Sequence, residues 1–283
     1  MKKPSVIHWA ITSQCNLNCG FCFAYQGKKD LNTRKSFEVI DRLVPLNIKK
    51  LVITGGEPLV RKDIIKIVNY AKKKGFNIRI DTNAILLPKY IARLKVDAIG
   101  ISLDGPDAAT DQEMRNHKSH FKKVILSLKK TKNVKVIIHT LATKLNYKKI
   151  PEMANLLEKY KVSRWSIFEF CPYARGFQNR KKYQITPRQF ETMKRKIKYK
   201  GVIDFCRIKN RTRAYFFITS DGSIYTQLIP NQKNSPKIIR FGGIFLKIIR
   251  KNFLKISALR RTKKEAKSIE IALTKKYLLT GIF

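Results

Sequence analysis

The stretch "VIHWAITSQCNLNCGFC", residues 6–22, joins a predicted strand to a loop that carries three cysteines. Val6–Thr12 is a short and mostly apolar run, which is typical of a strand. Cys15, Cys19 and Cys22 follow with the spacing C-x3-C-x2-C, in a chain that has five cysteines. The sequence therefore predicts that one strand delivers three thiols to one loop.

Three chemical uses are open to three close thiols. A disulfide framework would leave one thiol unpaired, and a cytosolic compartment is reducing. A structural zinc site takes four ligands, whereas His8 lies upstream on the strand and Cys171 and Cys206 are distant in sequence. A 4Fe-4S cluster held by three thiolates would leave one iron without a protein ligand. The spacing is only moderately specific, so other motifs must decide between these uses.

The composition indicates a globular and strongly basic protein. The chain has 283 residues, of which 43% are hydrophobic, and 61 Lys and Arg against 19 Asp and Glu give a formal net charge of +42. The electrostatic field of such a positive chain favours binding of polyanions such as RNA, DNA, anionic lipid or phosphorylated small molecules. The basic residues run through every predicted helix without a cluster of aromatics. We therefore interpret the basic residues as lying on solvated helix faces, with nucleic-acid binding as the alternative.

The sequence has neither a run of eighteen apolar residues nor an N-terminal stretch with the features of a signal peptide. These observations predict a soluble, cytoplasmic protein without a membrane span.

Strand and helix patterns alternate over the first 200 residues, which predicts parallel strands joined by right-handed crossovers. The predicted strands are Val6–Thr12, Leu51–Thr54, Ile78–Asp81, Ala98–Ser102, Val134–Thr140 and Arg164–Phe170. The predicted helices are Ser36–Leu46, Asp63–Lys74, Pro88–Lys95, Phe121–Lys130, Ile150–Tyr160 and Thr186–Tyr199. The fold class that follows is α/β, a partial (β/α)6 TIM-like barrel with its site at the carboxyl ends of the strands.

Six units are two short of a closed eight-fold barrel, so we expect an open side through which a large substrate could enter. After Lys200 the pattern changes to strands around an Asp221-Gly222 turn, followed by about forty basic residues of helical character. We therefore divide the chain into a barrel at 1–200 and a small C-terminal hairpin and helical extension at 201–283.

Two motifs resemble those of the radical S-adenosylmethionine (radical SAM) enzymes. "ITSQCNLNCGFCFA", residues 11–24, resembles the cluster loop of that family, and "LVITGGEPLV", residues 51–60, resembles the segment that holds the amino group of the cofactor. The resemblance implies a partial barrel, one 4Fe-4S cluster on the three loop cysteines, and S-adenosylmethionine as cofactor. It assigns cofactor binding to Gly55, Gly56, Glu57 and Pro58.

Further matches follow at later strand ends and extend the resemblance over residues 5–200. "DTNA" at 81–84 matches the family's Thr-Asn segment, although the family more often has Gly where this chain has Ala84. The remaining matches are "ISLDGPD" at 101–107, "HTLATKLN" at 139–146 and "FEFCPYARG" at 168–176. The resemblance implies that Asn83, Ser102, Asp104, Asn146 and Arg175 bind the cofactor, with Ser102 and Asp104 at the ribose and Arg175 at the carboxylate.

The chemistry implied by this resemblance is reductive cleavage of S-adenosylmethionine to a 5′-deoxyadenosyl radical, which abstracts hydrogen from a substrate. The implied partners are S-adenosylmethionine and an electron donor such as ferredoxin or flavodoxin. The substrate is expected to be acidic, phosphorylated or a peptide. Beyond the cluster ligands, no residue is assigned a catalytic role.

"ISLDGPDAATDQEMRN" resembles family members with a C-terminal SPASM or twitch extension, which act in peptide maturation and haem biosynthesis. The SPASM pattern consists of a cysteine, a gap, a glycine, four residues and a second cysteine. In this chain Gln227 stands at the position of that second cysteine. We therefore expect a degenerate extension that keeps a hairpin at Phe216–Gln227 without a second cluster. The alternatives are a viperin-like nucleotide-modifying enzyme and a basic RNA-binding protein whose cluster is structural or redox-sensing.

Several side chains near predicted strand ends are candidates to line a substrate pocket. They are Tyr25, Asn83, His139, Glu169 and Tyr173. His139 is also interpreted as a hydrogen-bonded core histidine, Cys171 as a small buried apolar residue, and Cys206 as a remnant in the core.

Overall fold

The computed structural model describes residues 6–23, 29–46, 48–131, 133–210, 216–228 and 237–243. These residues form a single sheet of ten strands. The strands are β1 (Val6–Thr12), β2 (Lys50–Gly55), β3 (Asn77–Thr82), β4 (Ala98–Ser102), β5 (Lys135–Ala142), β6 (Arg164–Glu169), β7 (Ile203–Cys206), β8 (Phe216–Ile218), β9 (Ser223–Leu228) and β10 (Lys237–Gly243).

Helices connect the consecutive parallel strands, as the alternating pattern predicts. They are α1 (Thr33–Leu43), α2 (Ile64–Lys73), α3 (Leu87–Tyr90), α4 (Ala108–Arg115), α5 (His120–Lys130), α6 (Met153–Leu157), α7 (Arg175–Gln178), α8 (Arg180–Tyr183) and α9 (Pro187–Lys196). None of the helices that the structure describes is both long and apolar enough to span a lipid bilayer.

Strands β1 to β6 pair in chain order, and every one of these pairs is parallel. The two faces of the sheet differ because side chains alternate along each strand. In β1, Ile7, Trp9 and Ile11 are fully buried in the core shared with the helices. The intervening His8 and Ala10 line a cavity on the inner face. The predicted partial barrel is thus confirmed, with an apolar outer layer and a partly polar interior.

The extension continues the same sheet on both edges. β7 pairs in parallel with β6, and β8 pairs in parallel with β1 through His8–Phe217 and Trp9–Ile218. β8, β9 and β10 then form antiparallel pairs. The predicted turn at Asp221-Gly222 is confirmed, since Gly222 has φ +83 and joins β8 to β9. Sequence reasoning did not expect strands beyond residue 200 to join the barrel sheet, and the division at that residue stays a prediction.

Three predicted helices are shorter than expected. The helix predicted at Thr186–Tyr199 ends at Lys196. The helix predicted at Pro88–Lys95 ends at Tyr90 and continues as hydrogen-bonded turns, in which Arg93 N donates to the Tyr90 carbonyl at 2.8 Å. The helix predicted at Ile150–Tyr160 divides into a 3-10 turn and α6. The basic tail predicted to be helical lies outside the described residues.

Side-chain caps fix where the helices next to the site begin. Asn32 accepts a hydrogen bond from Lys35 N at 2.9 Å, and Asp107 accepts one from Thr110 N at 2.8 Å. Thr186 and Gln189 form a reciprocal capping box before the Pro187 start of α9. These caps end the loops at defined residues, which limits where the loops can move.

Candidate active site

A cavity of about 1200 Å³ lies on the inner face of the barrel and reaches the carboxyl ends of the strands. The sequence-predicted residues divide into those that line it and those behind its wall. The lining ones are Cys15, Cys19, Cys22, Gly55, Gly56, Asn83, Ser102 and Arg175. The side chains of Glu57, Asp104 and Asn146 are fully buried, and Pro58 is buried with them.

The three thiols lie around this cavity on an irregular loop. Cys22 N donates to Cys19 O at 3.2 Å, which closes a turn between those two cysteines. Burial raises the pKa of the Cys19 thiol to about 11, and Cys15 and Cys22 are close enough to add to that shift. Among the residues that the structure describes, no three His, Cys, Asp or Glu side chains converge to hold a single metal ion.

An apolar shell surrounds the cysteine loop and is separate from the main core. Leu17 and Phe21 come from the loop itself, and they pack with Met114, Phe170 and Tyr183. The Phe21 ring meets the Tyr183 ring edge-on at 5.7 Å between centroids. This shell excludes water from one side of the thiols.

Gly55 and Gly56 bring the end of β2 against the cysteine loop. Gly56 N donates to Thr12 O and Glu57 N to Gln14 O, each at 2.8 Å. A Cβ atom at Gly56 would overlap the Gln14 carbonyl, and Gly55 has φ +138. The backbone of the cysteine loop thus lies directly against both glycines, and the cofactor binding that the resemblance assigns to them stays a prediction.

Glu57 is a buried tie between neighbouring strand ends. Its carboxylate accepts hydrogen bonds from Leu59 N at 3.0 Å, Thr82 Oγ1 at 2.8 Å and Asn83 N at 2.7 Å. Burial raises its pKa from 4.5 to about 7, although those donors favour the charged form. Contact between Glu57 and a bound ligand, as the resemblance implies, stays a prediction.

The raised pKa of Glu57 predicts a signed pH dependence of stability. A folded-state pKa of about 7 against 4.5 means that this group stabilises the fold fully below pH 4.5 and loses that contribution as the pH rises through 7. Between pH 5 and pH 8 the apoprotein should lose roughly 2–3 kcal/mol from this group, as measured by urea unfolding. Glu57→Gln should abolish that part of the pH dependence.

The matched control for this prediction is Glu152→Gln, because Glu152 is exposed and pairs only with Lys149 at the surface. It should leave the pH dependence of the unfolding free energy unchanged. Equal pH dependence in the wild type and in Glu57→Gln would contradict the assignment.

Asp104 and Asn146 hold the ends of β4 and β5 together. Asp104 Oδ1 accepts from Leu141 N at 2.8 Å, and Asp104 Oδ2 lies 2.7 Å from Arg115 Nη2. Asn146 Nδ2 donates to the carbonyls of Asp104 and Leu141, each at 2.8 Å. These side chains support the cavity wall, and the cofactor contacts that the resemblance implies for them stay a prediction.

Asn83 and Arg175 brace the cysteine loop from two sides. Asn83 Nδ2 donates to Asn16 Oδ1 at 2.8 Å and lies 3.9 Å from Cys15 Sγ. Arg175 Nη1 donates to Asn18 Oδ1 and lies 3.4 Å from the Cys19 carbonyl. Both residues also line the cavity, so they connect the loop to the space in which a ligand would lie.

His8, Arg79, Asp81 and His139 form a polar layer inside the barrel; the sequence predicted only His139 as a pocket-lining residue, and the other three were missed. Arg79 Nε lies 2.8 Å from Asp81 Oδ1, and all four residues line the cavity. Burial lowers the pKa of His8 to about 4 and also lowers the pKa of His139. A side chain at Gly100 would collide with Asp81 and His139, so this glycine makes room for the layer. The sequence contained a signal for this layer, because these polar residues occupy inward-facing positions on every second strand of the sheet.

The remaining pocket candidates divide between cavity and core. Tyr173 lines the cavity, but Glu169 is buried away from it and binds Arg207 Nε at 2.8 Å and Ile208 N at 3.0 Å. Cys171 and Cys206 are half-buried and line the cavity, which corrects their assignment to the core. Their strand-end positions place them there. Tyr25 lies outside the described residues.

The fold and site define a class of protein: a parallel β/α partial barrel whose first strand leads into a three-cysteine loop. The family model of the Radical SAM superfamily matches residues 9–166, more than half of the chain. The chain belongs to this superfamily. Members of the superfamily use a 4Fe-4S cluster and S-adenosylmethionine.

Curated relatives cover the barrel part of the chain. Fe-coproporphyrin III synthase of Methanosarcina barkeri is 30% identical over 185 residues, which are 62% of this chain and 46% of that protein. Mycofactocin maturase MftC of Mycolicibacterium smegmatis is 30% identical over 170 residues, which are 56% of this chain and 43% of that protein. The chain thus spans about half the length of these relatives.

Solved structures share the fold. SuiB of Streptococcus suis bound to S-adenosylmethionine has a TM-score of 0.65 at 18% identity, covering 88% of this chain and 65% of that chain. SuiB bound to the precursor peptide SuiA has a TM-score of 0.61 at 19% identity, covering 78% of this chain and 59% of that chain. At these identities the similarity is one of fold.

Proposed function

We propose that this protein cleaves S-adenosylmethionine reductively at one 4Fe-4S cluster bound by Cys15, Cys19 and Cys22, and uses the resulting radical to remove hydrogen from a peptide or tetrapyrrole. One observation carries this proposal. The three thiols line the same cavity as Gly55 and Gly56, at the carboxyl ends of adjacent parallel strands.

The donor set fits a cubane cluster better than a single ion. A cubane takes each thiolate at a different iron, so the thiols must surround one space rather than meet at one point. In support of this, Cys15, Cys19 and Cys22 all line one cavity, with an apolar shell on one side. Arg115 lines the cavity beside them and offsets part of the negative charge that three thiolates bring.

The chain offers a polar wall for S-adenosylmethionine next to the thiols. Gly55 and Gly56 present backbone, and Asn83, Ser102 and Arg175 present side chains. Glu57 keeps the strand ends in register behind this wall. When bound, the cluster supplies one electron that breaks a carbon–sulfur bond of S-adenosylmethionine and yields the 5′-deoxyadenosyl radical. The residues around it orient the cofactor and exclude water.

Relatives and the cavity both support a peptide or tetrapyrrole substrate. The curated relatives are named for an iron porphyrin and for a maturase, and SuiB was solved with a precursor peptide. In this chain the extension adds an aromatic wall, in which Phe217 and Tyr225 stack at 5.0 Å between ring centroids. Both residues line the cavity. Such a wall suits a substrate with an apolar or aromatic surface.

We further propose a single cluster that an external donor such as ferredoxin or flavodoxin reduces. Outside the three-cysteine loop the chain has only Cys171 and Cys206, and two thiols are fewer than a second cubane requires. The strongly positive chain would attract acidic donors of this type.

The test is an anaerobic assay on the reconstituted protein with S-adenosylmethionine and dithionite. We expect formation of 5′-deoxyadenosine and methionine, and incorporation of deuterium into 5′-deoxyadenosine when a deuterated peptide or coproporphyrin substrate is the hydrogen source. Protein that is loaded with iron and sulfide yet forms no 5′-deoxyadenosine would contradict the proposal.

A further inference from the structure

Arg115, the last residue of α4, places a buried positive charge beside the cysteine loop. Its side chain is 11% exposed, and its guanidinium lies 2.7 Å from the carboxylate of Asp104, which is fully buried. Few charged side chains are buried this deeply without a functional or structural reason. The pair lies where the loop packs against α4.

Two contacts connect Arg115 to the loop. The Arg115 guanidinium lies over the Phe21 ring, 5.1 Å from its centroid, and Phe21 stands between Cys19 and Cys22. The Arg115 carbonyl lies 3.8 Å from Cys19 Sγ.

A buried network fixes the position of this charge. Asp104 N donates to Asp111 Oδ1 at 3.1 Å, and Asp111 Oδ2 lies 2.5 Å from His120 Nδ1. All three side chains are fully buried. Asn116 ends α4 in the left-handed conformation with φ +53. The carboxylate of Asp104 and the guanidinium of Arg115 therefore cannot move in response to a change of charge at the loop without breaking buried contacts.

We propose that Arg115 is a positioning residue that raises the reduction potential of the cluster, and that Asp104 limits this effect. The inference rests on the proposed function, because it assumes a cluster on the three loop cysteines. One-electron reduction adds one negative charge to the cluster, and a fixed cation nearby stabilises the reduced form. The carboxylate of Asp104 acts in the opposite direction because it carries the opposite charge.

The experiment is a redox titration of the reconstituted protein without S-adenosylmethionine, followed by electron paramagnetic resonance of the reduced cluster. Arg115→Met should lower the ratio of reduced to oxidised cluster at a fixed potential about tenfold, which is about 59 mV for one electron. Arg115→Lys retains the charge and should restore most of the ratio. Asp104→Asn should raise the ratio above that of the wild type.

The matched control is Arg79→Met, because Arg79 also pairs with a carboxylate in the same cavity but belongs to the polar layer around His8 and His139. It should change the ratio less than about twofold, and iron content and thermal unfolding are measured for every variant. Arg115→Gln serves as a second neutral variant if Arg115→Met loads poorly.

Two results would overturn the inference: a wild-type potential in an iron-loaded neutral variant of Arg115, or a shift of the same sign in Arg115→Met and Asp104→Asn. The second result would show that both changes act only by disturbing the fold. Wild-type protein that takes up no cluster would instead contradict the proposed function, and the inference with it.

Discussion

Cys19→Ala is expected to abolish both the cluster and the cleavage of S-adenosylmethionine. Two remaining thiolates cannot hold a cubane, and Cys19 is the most buried of the three, with 7% exposure. Iron should fall from about four atoms per chain to less than about one, and 5′-deoxyadenosine should become undetectable. Iron and sulfide analysis together with the anaerobic assay measures both effects.

The matched control is Cys206→Ala. Cys206 lies on β7 and lines the same cavity, but it is not part of the three-cysteine loop. This variant should retain full iron content and its cleavage of S-adenosylmethionine. A Cys19→Ala protein that still formed 5′-deoxyadenosine at the wild-type rate would show that the ligand assignment is wrong.

Gly56→Ala is expected to be the most damaging substitution outside the cysteines. The new Cβ would overlap the Gln14 carbonyl, which is a backbone group, and no side-chain rotation moves a Cβ away from it. The end of β2 would have to separate from the cysteine loop, with loss of the hydrogen bonds from Gly56 N and Glu57 N. We expect a loss of about 3 kcal/mol in the free energy of unfolding, measured by urea denaturation of the apoprotein.

Gly75→Ala provides the comparison at a positive φ without a collision. Gly75 has φ +84, and nothing lies within 4 Å of the added Cβ. The loss in the free energy of unfolding should be limited to the backbone strain of alanine in this conformation, about 1 kcal/mol. It should load with iron like the wild type. If the two glycine variants lost equal stability, contact with the loop could not be the reason that Gly56 is required.

The elements that the sequence predicts well are those with a local signal. The six parallel strands follow from apolar or alternating runs separated by amphipathic stretches, and β1 shows why this works. Ile7, Trp9 and Ile11 face the helices, while His8 and Ala10 face the cavity. The strand-end motifs likewise predict that Cys15, Asn83 and Ser102 lie close together, because parallel strands end at the same edge of a sheet.

The features that escaped prediction depend on partners distant in sequence. β8 joins the sheet beside β1, which lies about 200 residues earlier, and no local pattern specifies that pairing. Motif matching also cannot distinguish a side chain that touches a ligand from one that supports the wall. Asp104 is an example, since its burial depends on Arg115 and on Leu141 of the neighbouring strand.

The pairing of β1 with β8 bears on the order of events during biosynthesis. The segment that follows the cysteine loop is also held by the extension, since Leu31 N donates to Ser220 O at 2.9 Å. While the nascent chain is still on the ribosome, β1 retains an open hydrogen-bonding edge until the hairpin emerges. The thiols gain their complete surroundings only after Phe170 and Tyr183 have been translated, so the proposed cluster would be inserted at a late stage of maturation.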